Sequence, residues 1–345
     1  MSRLRVVWAA AKMALPAPLQ HALYAGRLHE VDGRRMDASA QIVGELATLL
    51  RGGDSLPTVE ESRTQMDAMV ARFDRPCPDN IARHDLTLPG AAGSRPARIY
   101  VSRGADPYAV QPTLIYLHGG GWVQGGLASH DGTCGALAER AGIRVIAYDY
   151  RLAPEHPFPS APDDVRAAYL ALLDRGGDFG IAPDRLAVGG DSAGANLTSV
   201  LIHDLAEAGA PPPAAQLLIY PAVDARMQTP AMESLRDAFV LPKTRMEWYL
   251  KLYLGQHGDL SDPRVSPVLS PYLAGQPPAL IIAAGHDPLR DDAYLLAEAL
   301  DKAGGQAELV EFEGQVHAFI SLTRVIPEGR AALDRAGDWL AAVLR

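Results

Sequence analysis

The spacing of apolar residues along the chain changes near residue 80. In the first part, DASAQIVGELATLLRG (37–52) and TVEESRTQMDAMVARF (58–73) carry apolar residues at the spacing of amphipathic helices. The prolines of DRPCPDN (74–80) end that pattern. After it, short apolar runs alternate with longer helical stretches. We therefore expect an N-terminal helical cap over residues 1–80 and a larger domain over residues 81–345.

The short apolar runs of the larger domain predict eight β-strands. The inner runs are almost wholly apolar, as expected for strands that are covered on both faces. Because helical stretches alternate with them, we expect an α/β fold with a mostly parallel sheet and helices on both faces. The first two runs would form a hairpin. The predicted strands are RHDLTL, ARIYVS, TLIYLH, RVIAYDY, RLAVGG, AQLLIYP, ALIIAAG and AELVEFE, and the predicted helices span 129–141, 160–175, 192–209, 291–304 and 328–344.

Residues 224–275 interrupt this alternation. They contain one helical piece, KTRMEWYLKLYLG, and a loop rich in serine and proline. Ligand sites in parallel sheets lie beyond the carboxyl ends of the strands. We interpret residues 224–275 as an insertion that covers such a site and contributes to the cap.

Composition and charge narrow the class of protein. The chain has 345 residues, of which 48% are hydrophobic and 21% charged, so its core is large enough to fold without disulfides or metal. The formal net charge is −9, and all of the acidic excess lies in residues 81–345, which hold 22 basic and 31 acidic residues. An acidic surface argues against nucleic acid as the main partner. The two distant cysteines, Cys77 and Cys134, favour a cytoplasmic location.

The first residues, MSRLRVVWAAAKMAL, begin like a signal peptide. Lys12 interrupts the apolar run after only six residues, which favours an amphipathic helix instead. No stretch of the sequence approaches the roughly 20 apolar residues of a membrane span, so we expect no stable membrane insertion.

The segment LAVGGDSAGANL (186–197) carries the strongest chemical signal. Gly190-Asp191-Ser192-Ala193-Gly194 fits the pattern G-x-S-x-G, follows a buried-looking strand and opens a helical stretch. Such a strand–turn–helix is the setting of a nucleophilic serine, whereas the alternative is a serine that only caps the helix. The position at the helix N-terminus favours developing negative charge near the hydroxyl. We expect Ser192 to be a nucleophile.

A serine nucleophile needs a base and an acid that orients the base. His317 lies between the last predicted strand and the last helix, and Asp287 follows the strand ALIIAAG. The chain order Ser192, Asp287, His317 is that of an α/β-hydrolase triad. Asp291 and Asp292 are rivals for the acid, but we expect them on the next helix, pointing elsewhere, and we expect His286 to be a lining or surface residue.

Backbone amides are expected to stabilise a tetrahedral intermediate. Gly119, Gly120 and Gly121 directly follow the strand TLIYL, and their N–H groups lack Cβ obstruction. The N–H of Ala193, which follows the nucleophile, would be a further donor. Glu155 and His156 lack a metal-ligand spacing, so we expect neither a metal nor a cofactor.

Four motifs together resemble the hormone-sensitive-lipase-like group of α/β-hydrolase esterases. They are HGGGW (118–122), YRLAPEHPFPSAPDD (150–164), GDSAG (190–194) and DPLRDD (287–292), and the resemblance runs from about residue 80 to the end. It implies a serine carboxylesterase acting on short- to medium-chain esters, an N-terminal helical cap and the same triad. The oxyanion donors it implies are Gly120, Gly121 and Ala193, with Gly119 beside them. It also allows a homodimer.

The sequence departs from the family at Ala195 and Ala318, where glycine is usual, so each position adds a methyl group near the site. We also expect that an acyl pocket or an ordinary cap core includes Trp8, Met13, Met66, Met69, Trp248 and Tyr249. Two alternatives stay open. A binding protein on the same fold would lack the histidine that this chain retains, whereas amide or lactone hydrolysis and acyl transfer would use the same residues.

Overall fold

An eight-stranded sheet forms the centre of the molecule. The structure is a computed structural model that describes residues 11–13, 15–51, 56–256 and 258–345. Strands β1 (Glu30–Val31) and β2 (Arg34–Arg35) form a separate hairpin. The strands of the sheet are β3 (Ile81–Gly90), β4 (Gly93–Ser102), β5 (Gln111–Leu117), β6 (Arg144–Tyr148), β7 (Ile181–Asp191), β8 (Gln216–Ile219), β9 (Ala279–His286) and β10 (Ala307–Val316). Their order is β10-β9-β8-β7-β5-β6-β4-β3, and all neighbours are parallel except β3 with β4 and β4 with β6.

Helices cover both faces of this sheet, which confirms the predicted α/β class. On one face, Asp131–Ala141 and Pro327–Val343 share an apolar core with the sheet. On the other, Ser160–Asp174 and Ala193–Glu207 pack together in a second core, and Arg290–Lys302 forms a third with neighbouring strands. Strands β6, β8 and β9 are buried along their whole length, which explains their continuous apolar sequence.

Three further helices, which we call the covering helices, lie over one edge of the sheet. They are Ala38–Arg51, Val59–Phe73 and Lys243–Leu254, and each contributes residues to one cavity described below. Val59–Phe73 begins with a capping box between Thr58 and Glu61. Residues of the first two covering helices also pack into the core of the sheet. The division of the chain at residue 80 stays a prediction.

Several short elements had no clear signal in the sequence. They are the helices Ala17–Leu23, Gly176–Phe179 and Pro230–Ser234, the 3-10 turns Pro267–Leu269 and Phe319–Ser321, and a two-stranded hairpin of β1 (Glu30–Val31) and β2 (Arg34–Arg35). Residues 1–10 and 14, which make up most of the predicted N-terminal amphipathic helix, lie outside the described residues. Within the described ranges, no helix combines the length and apolarity needed to cross a bilayer.

The register of the parallel strands brings four chain segments together at the carboxyl ends of the strands. Leu117 at the end of β5 pairs with Gly190 near the end of β7, and His286 at the end of β9 pairs with Val316 at the end of β10. The residues that follow these four strands are therefore neighbours in space, although they are far apart in the sequence.

Candidate active site

Ser192 occupies a sharp turn between β7 and the helix Ala193–Glu207. Its φ of 54° and ψ of −116° are strained for a residue with a side chain. The flanking glycines make the turn sterically accessible: a Cβ on Gly190 would lie 2.2 Å from the carbonyl oxygen of Leu117, and one on Gly194 would lie 1.9 Å from the same atom. The Ser192 hydroxyl oxygen accepts no hydrogen bond from the first N–H groups of the helix, so the capping alternative does not describe it.

The neighbouring Asp191 ties this turn to the glycine loop that follows β5. Its Oδ1 accepts hydrogen bonds from the Tyr116 hydroxyl and the Gly119 N–H, both at 2.9 Å, and lies 3.2 Å from His130 Nε2. Burial acts to raise the pKa of Asp191, but the charge of His130 and these hydrogen bonds hold that pKa below its usual value. The N–H of Gly119 is therefore already occupied. This corrects the expectation that Gly119 belongs with the oxyanion donors.

Ser192, His317 and Asp287 form one hydrogen-bonded chain. His317 Nε2 lies 3.0 Å from Ser192 Oγ, and His317 Nδ1 lies 2.6 Å from Asp287 Oδ2. Asp287 is wholly buried, and its Oδ1 accepts the Leu289 N–H at 3.0 Å. Because Asp287 accepts the hydrogen on His317 Nδ1, the other ring nitrogen, Nε2, carries no hydrogen and can accept the proton of the serine hydroxyl. The arrangement can thus deprotonate an attacking hydroxyl and stabilise the imidazolium that results.

Three residues with unpaired backbone amides line the same cavity as Ser192 and His317. The N–H groups of Gly120, Gly121 and Ala193 donate to no acceptor within the described part of the chain. Gly120 has a φ of 122°, and a Cβ there would lie 2.2 Å from the carbonyl oxygen of Gln124. Ala193 is the first residue of its helix, so its amide has no intrahelical partner. Unpaired donors beside a nucleophile can hold a developing oxyanion.

Comparison with known proteins identifies the relatives of this chain. A family model described as the alpha/beta hydrolase fold matches residues 114–321. Carboxylic ester hydrolase LipN of Mycobacterium tuberculosis (strain ATCC 25618 / H37Rv) is 39% identical over 317 residues, which cover 89% of this chain and 83% of LipN. Ethyl acetate hydrolase of Pseudomonas putida is 36% identical over 276 residues, which cover 79% of this chain and 87% of that protein.

A solved structure gives the same result. The ester-hydrolase EH1AB1 from the metagenome of Lake Arreo superposes with a TM-score of 0.83 at 36% identity, covering 88% of this chain and 98% of that one. The chain belongs to the hormone-sensitive-lipase-like family of α/β-hydrolases. It is a carboxylesterase, as are its named relatives. The predictions of fold, family and ester hydrolysis are confirmed.

The two departures from the family pattern lie in different surroundings. Ala195 of this esterase is fully buried in the apolar core beside β8 and β9 and does not line the cavity. Ala318 does line it and adopts the left-handed conformation, with a φ of 62°. A glycine would adopt that conformation without strain. Only the departure at Ala318 therefore adds a methyl group at the substrate side.

The acidic rivals of Asp287 point away from His317. Asp291 accepts the Ala231 N–H at 2.8 Å, and the Oδ2 of the fully buried Asp292 accepts the N–H groups of Val223 and Asp224. Burial raises the pKa of Asp292 to about 8. His286, expected to line the site or lie at the surface, is instead buried at the end of β9 outside the cavity lining, and burial lowers the pKa of its imidazole to about 4.

An apolar cavity of about 480 Å³ opens onto Ser192 and His317 in the esterase. Of the residues expected to form an acyl pocket, Met66, Met69 and Tyr249 line it. Met13 packs in the core instead, and Trp248 lies beside Tyr249 without lining the cavity. Trp8 lies outside the described residues. No group of three or more histidine, cysteine or acidic residues is placed to hold a metal ion in the described part of the chain.

Sequence reasoning missed the residues that hold the oxyanion loop from outside. Arg63, on the second covering helix, donates from Nε to the Val123 carbonyl at 2.9 Å. The hydroxyl of the preceding residue, Ser62, donates a hydrogen bond to the side-chain oxygen of Gln124. A Cβ on Gly121 would lie 2.4 Å from the ring of Tyr249, so that ring packs directly on the loop. No motif marks these residues, because their partners are distant in the sequence.

Proposed function

We propose that the esterase works through Ser192 as nucleophile, His317 as general base and acid, and Asp287 as the acid that orients the base. The observation that carries this proposal is the continuous chain from Ser192 Oγ through the imidazole to Asp287 Oδ2, with distances of 3.0 and 2.6 Å. The same cavity is lined by Gly120, Gly121 and Ala193, whose backbone amides have no acceptor among the described residues.

In the first half of the proposed reaction, His317 Nε2 takes the hydroxyl proton as Ser192 Oγ attacks the ester carbonyl carbon. The carbonyl oxygen becomes an oxyanion, which the amides of Gly120, Gly121 and Ala193 stabilise. His317 then protonates the leaving alkoxide, and the ester bond breaks to give an alcohol and an acyl-serine.

In the second half, a water molecule takes the place of the alcohol. His317 accepts its proton while the water oxygen attacks the acyl carbon, and the same amides hold the second oxyanion. Collapse returns the proton to Ser192 Oγ and releases the carboxylic acid. Every proton in this cycle moves through one imidazole, which the buried Asp287 keeps in the required tautomer.

The cavity supports substrates with short to medium acyl chains. Its volume of about 480 Å³ is that of a small-molecule site, and methionine and aliphatic side chains form much of its wall. Rates of hydrolysis for a series of 4-nitrophenyl esters from acetate to decanoate, with matching anilides and lactones, test this part. A maximum at the longest chain, or faster hydrolysis of anilides than of esters, would contradict it.

Replacing the nucleophile tests the mechanism. We expect Ser192→Ala to lower kcat by about 10⁴-fold or more and to abolish labelling by a fluorophosphonate probe. Ser199→Ala is the matched control, since this buried hydroxyl on the same helix donates to the Ala195 carbonyl and has no other partner among the residues described. It should keep both activity and labelling. A Ser192→Ala protein with full esterase activity would refute the assignment of Ser192 as the nucleophile.

We also propose a cytoplasmic location. Its support is that Cys77 and Cys134 are both buried and form no disulfide with each other, as suits a reducing compartment. Fractionation of cells that produce the native chain, followed by assay of each fraction with a short-chain ester, tests the proposal. Activity confined to the periplasmic or secreted fraction would contradict it.

A further inference from the structure

Three arginines line the cavity that contains Ser192 and His317; Arg72 is exposed, and the other two are not. Arg245 belongs to the covering helix Lys243–Leu254, and Arg51 is the last residue of Ala38–Arg51. Both side chains are partly buried in a wall that is otherwise mostly apolar. Guanidinium groups keep their charge at all ordinary pH values, so the wall carries positive charge although the whole chain has a net charge of −9.

Arg245 is held in place by neutral groups. Its guanidinium lies over the rings of Trp248 and Tyr249, 4.7 and 5.2 Å from their centroids, and its Nη2 donates to the Ser62 hydroxyl at 2.8 Å. Tyr249 in turn packs on Gly121 of the oxyanion loop. The charge therefore has a fixed position beside the aromatic ring that packs on the oxyanion loop.

Neither Arg51 nor Arg245 has a counter-ion in the part of the chain that the structure describes. Within the described residues, no carboxylate lies within 4.0 Å of the guanidinium of Arg51 or Arg245. Burial and, in addition, the charge of Arg245 lower the pKa of Arg51, so the two groups are close enough to repel each other. The three acids that line the same cavity are engaged elsewhere: Asp224 binds Arg226 at 2.8 Å, Asp191 binds His130, and Asp292 accepts backbone N–H groups.

A pair of like charges in a partly apolar cavity is destabilising, and an anion placed between them relieves the repulsion. A carboxylate suits guanidinium groups because it accepts paired N–H donors. Apolar side chains such as Met66 and Leu250 line the same cavity. The cavity thus combines the reacting residues, an apolar wall and two partly buried guanidinium groups.

We propose that the substrates are esters with an apolar chain that ends in a carboxylate, and that Arg245 and Arg51 bind this carboxylate. The inference rests on the proposed function, because it assigns the remote end of the substrate whose ester group reacts at Ser192. Two sources share this chemistry: half-esters of dicarboxylic acids, with the anion on the acyl side, and esters of ω-hydroxy acids, with the anion on the alcohol side. The reaction consumes water and yields an alcohol and a carboxylic acid in both cases.

Matched pairs of esters test the proposal. Monoethyl adipate is compared with ethyl hexanoate for the acyl side, and 6-acetoxyhexanoate with hexyl acetate for the alcohol side, by titration of the acid released at constant pH. The quantity measured is the ratio of kcat/KM for the anionic ester to that for its neutral partner. We expect Arg245→Gln to lower this ratio about tenfold in one arm, mainly through KM, and Arg245→Lys to lower it less.

Further variants separate binding from other effects. Arg51→Gln should lower the same ratio, and Arg35→Gln, which removes an exposed charge outside the cavity, should leave it unchanged. Added salt should lower the ratio of the native enzyme while the neutral esters keep their rates. Hydrolysis of the neutral ester and the melting temperature report whether each variant folds. If Arg245→Gln does not fold, the ratios measured for Arg51→Gln and Arg245→Lys test the proposal.

The outcomes distinguish the two proposals. If the native enzyme hydrolyses the neutral esters but the ratio does not fall in either arm for any cavity variant, carboxylate recognition is refuted and the proposed function stands. If Ser192→Ala hydrolyses the neutral esters as fast as the native enzyme does, the proposed function fails first. The arm in which the ratio falls identifies the side of the ester that carries the anion.

Discussion

Arg63 on a covering helix donates a hydrogen bond to the backbone carbonyl of Val123, 2.9 Å away, just beyond the glycines of the oxyanion loop. The same guanidinium donates to the Ala153 carbonyl at 3.1 Å and pairs with Glu155 at 2.7 Å. A side chain outside the reacting centre thus fixes the backbone that would hold the oxyanion.

Arg63→Gln should therefore lower kcat, because small displacements of positioned groups are costly in catalysis. We expect a loss of about tenfold in kcat with little change in melting temperature, measured with 4-nitrophenyl butyrate. Glu155→Gln is the control, since it removes the more exposed ion pair but keeps both bonds to backbone carbonyls. Equal losses in the two variants would show that the ion pair matters and the loop contact does not.

Gly194→Ala should unfold the turn at Ser192. The added methyl group would lie 1.9 Å from the carbonyl oxygen of Leu117, which belongs to the backbone of β5 and cannot move aside. We expect the free energy of unfolding to fall by at least about 3 kcal/mol, or the protein to be insoluble. Gly177→Ala, at an exposed position with no heavy atom within 4 Å, should be neutral or slightly stabilising in the same urea titration. A stable Gly194→Ala enzyme would refute this account of the turn.

Ala318→Gly should stabilise the protein. Ala318 has a φ of 62°, and relief of left-handed strain gains about 1–2 kcal/mol, partly offset by the greater freedom of glycine in the unfolded chain. The expected net gain is about 0.5–1 kcal/mol in urea unfolding. Ala299→Gly, inside the helix Arg290–Lys302, should change stability in the opposite direction by a similar amount. The same sign for both variants would rule out backbone strain as the cause.

Asp292 should make the protein less stable as the pH rises. Because burial raises the folded-state pKa of this carboxyl to about 8, its neutral form is favoured in the fold. Its contribution to stability is fully present below the unfolded pKa of about 3.9 and is lost progressively up to about pH 8. Asp292→Asn cannot ionise, so its stability relative to the native protein should increase over that range and stay level above it.

Urea unfolding at several pH values between about 4 and 9 measures this difference. Asp237→Asn is the control, because Asp237 is exposed and should leave the pH dependence unchanged. A constant difference between Asp292→Asn and the native protein across the range would mean that Asp292 does not titrate between the two pKa values.

The central part of the site was predictable because parallel strands have a fixed geometry. Gly190 and Asp287 end or follow buried apolar strands, His317 follows the partly exposed strand β10, and the carboxyl ends of parallel strands lie together at one end of the sheet. The convergence of Ser192, Asp287 and His317 follows from that rule alone. The strands and larger helices were predictable for a related reason. A continuous apolar run indicates a strand that is buried on both faces, and helical spacing indicates a helix that is buried on one.

The remainder depends on contacts that the sequence does not record locally. Gly119 looks like its two neighbours, and only the direction of its N–H, toward Asp191, excludes it from the donors. The role of Arg63 depends on how a covering helix sits against a loop 60 residues further along the chain. Local propensity carries no information about such packing.

The three contacts from Ser62, Arg63 and Tyr249 to the oxyanion loop have a consequence for protein engineering. Replacing the covering helices by those of a relative, in order to change the acyl pocket, also removes these three contacts to residues 121–124. A chimera that kept the triad but lost those contacts would bind its new substrate and turn it over slowly. Transplanted helices should therefore carry these three side chains with them.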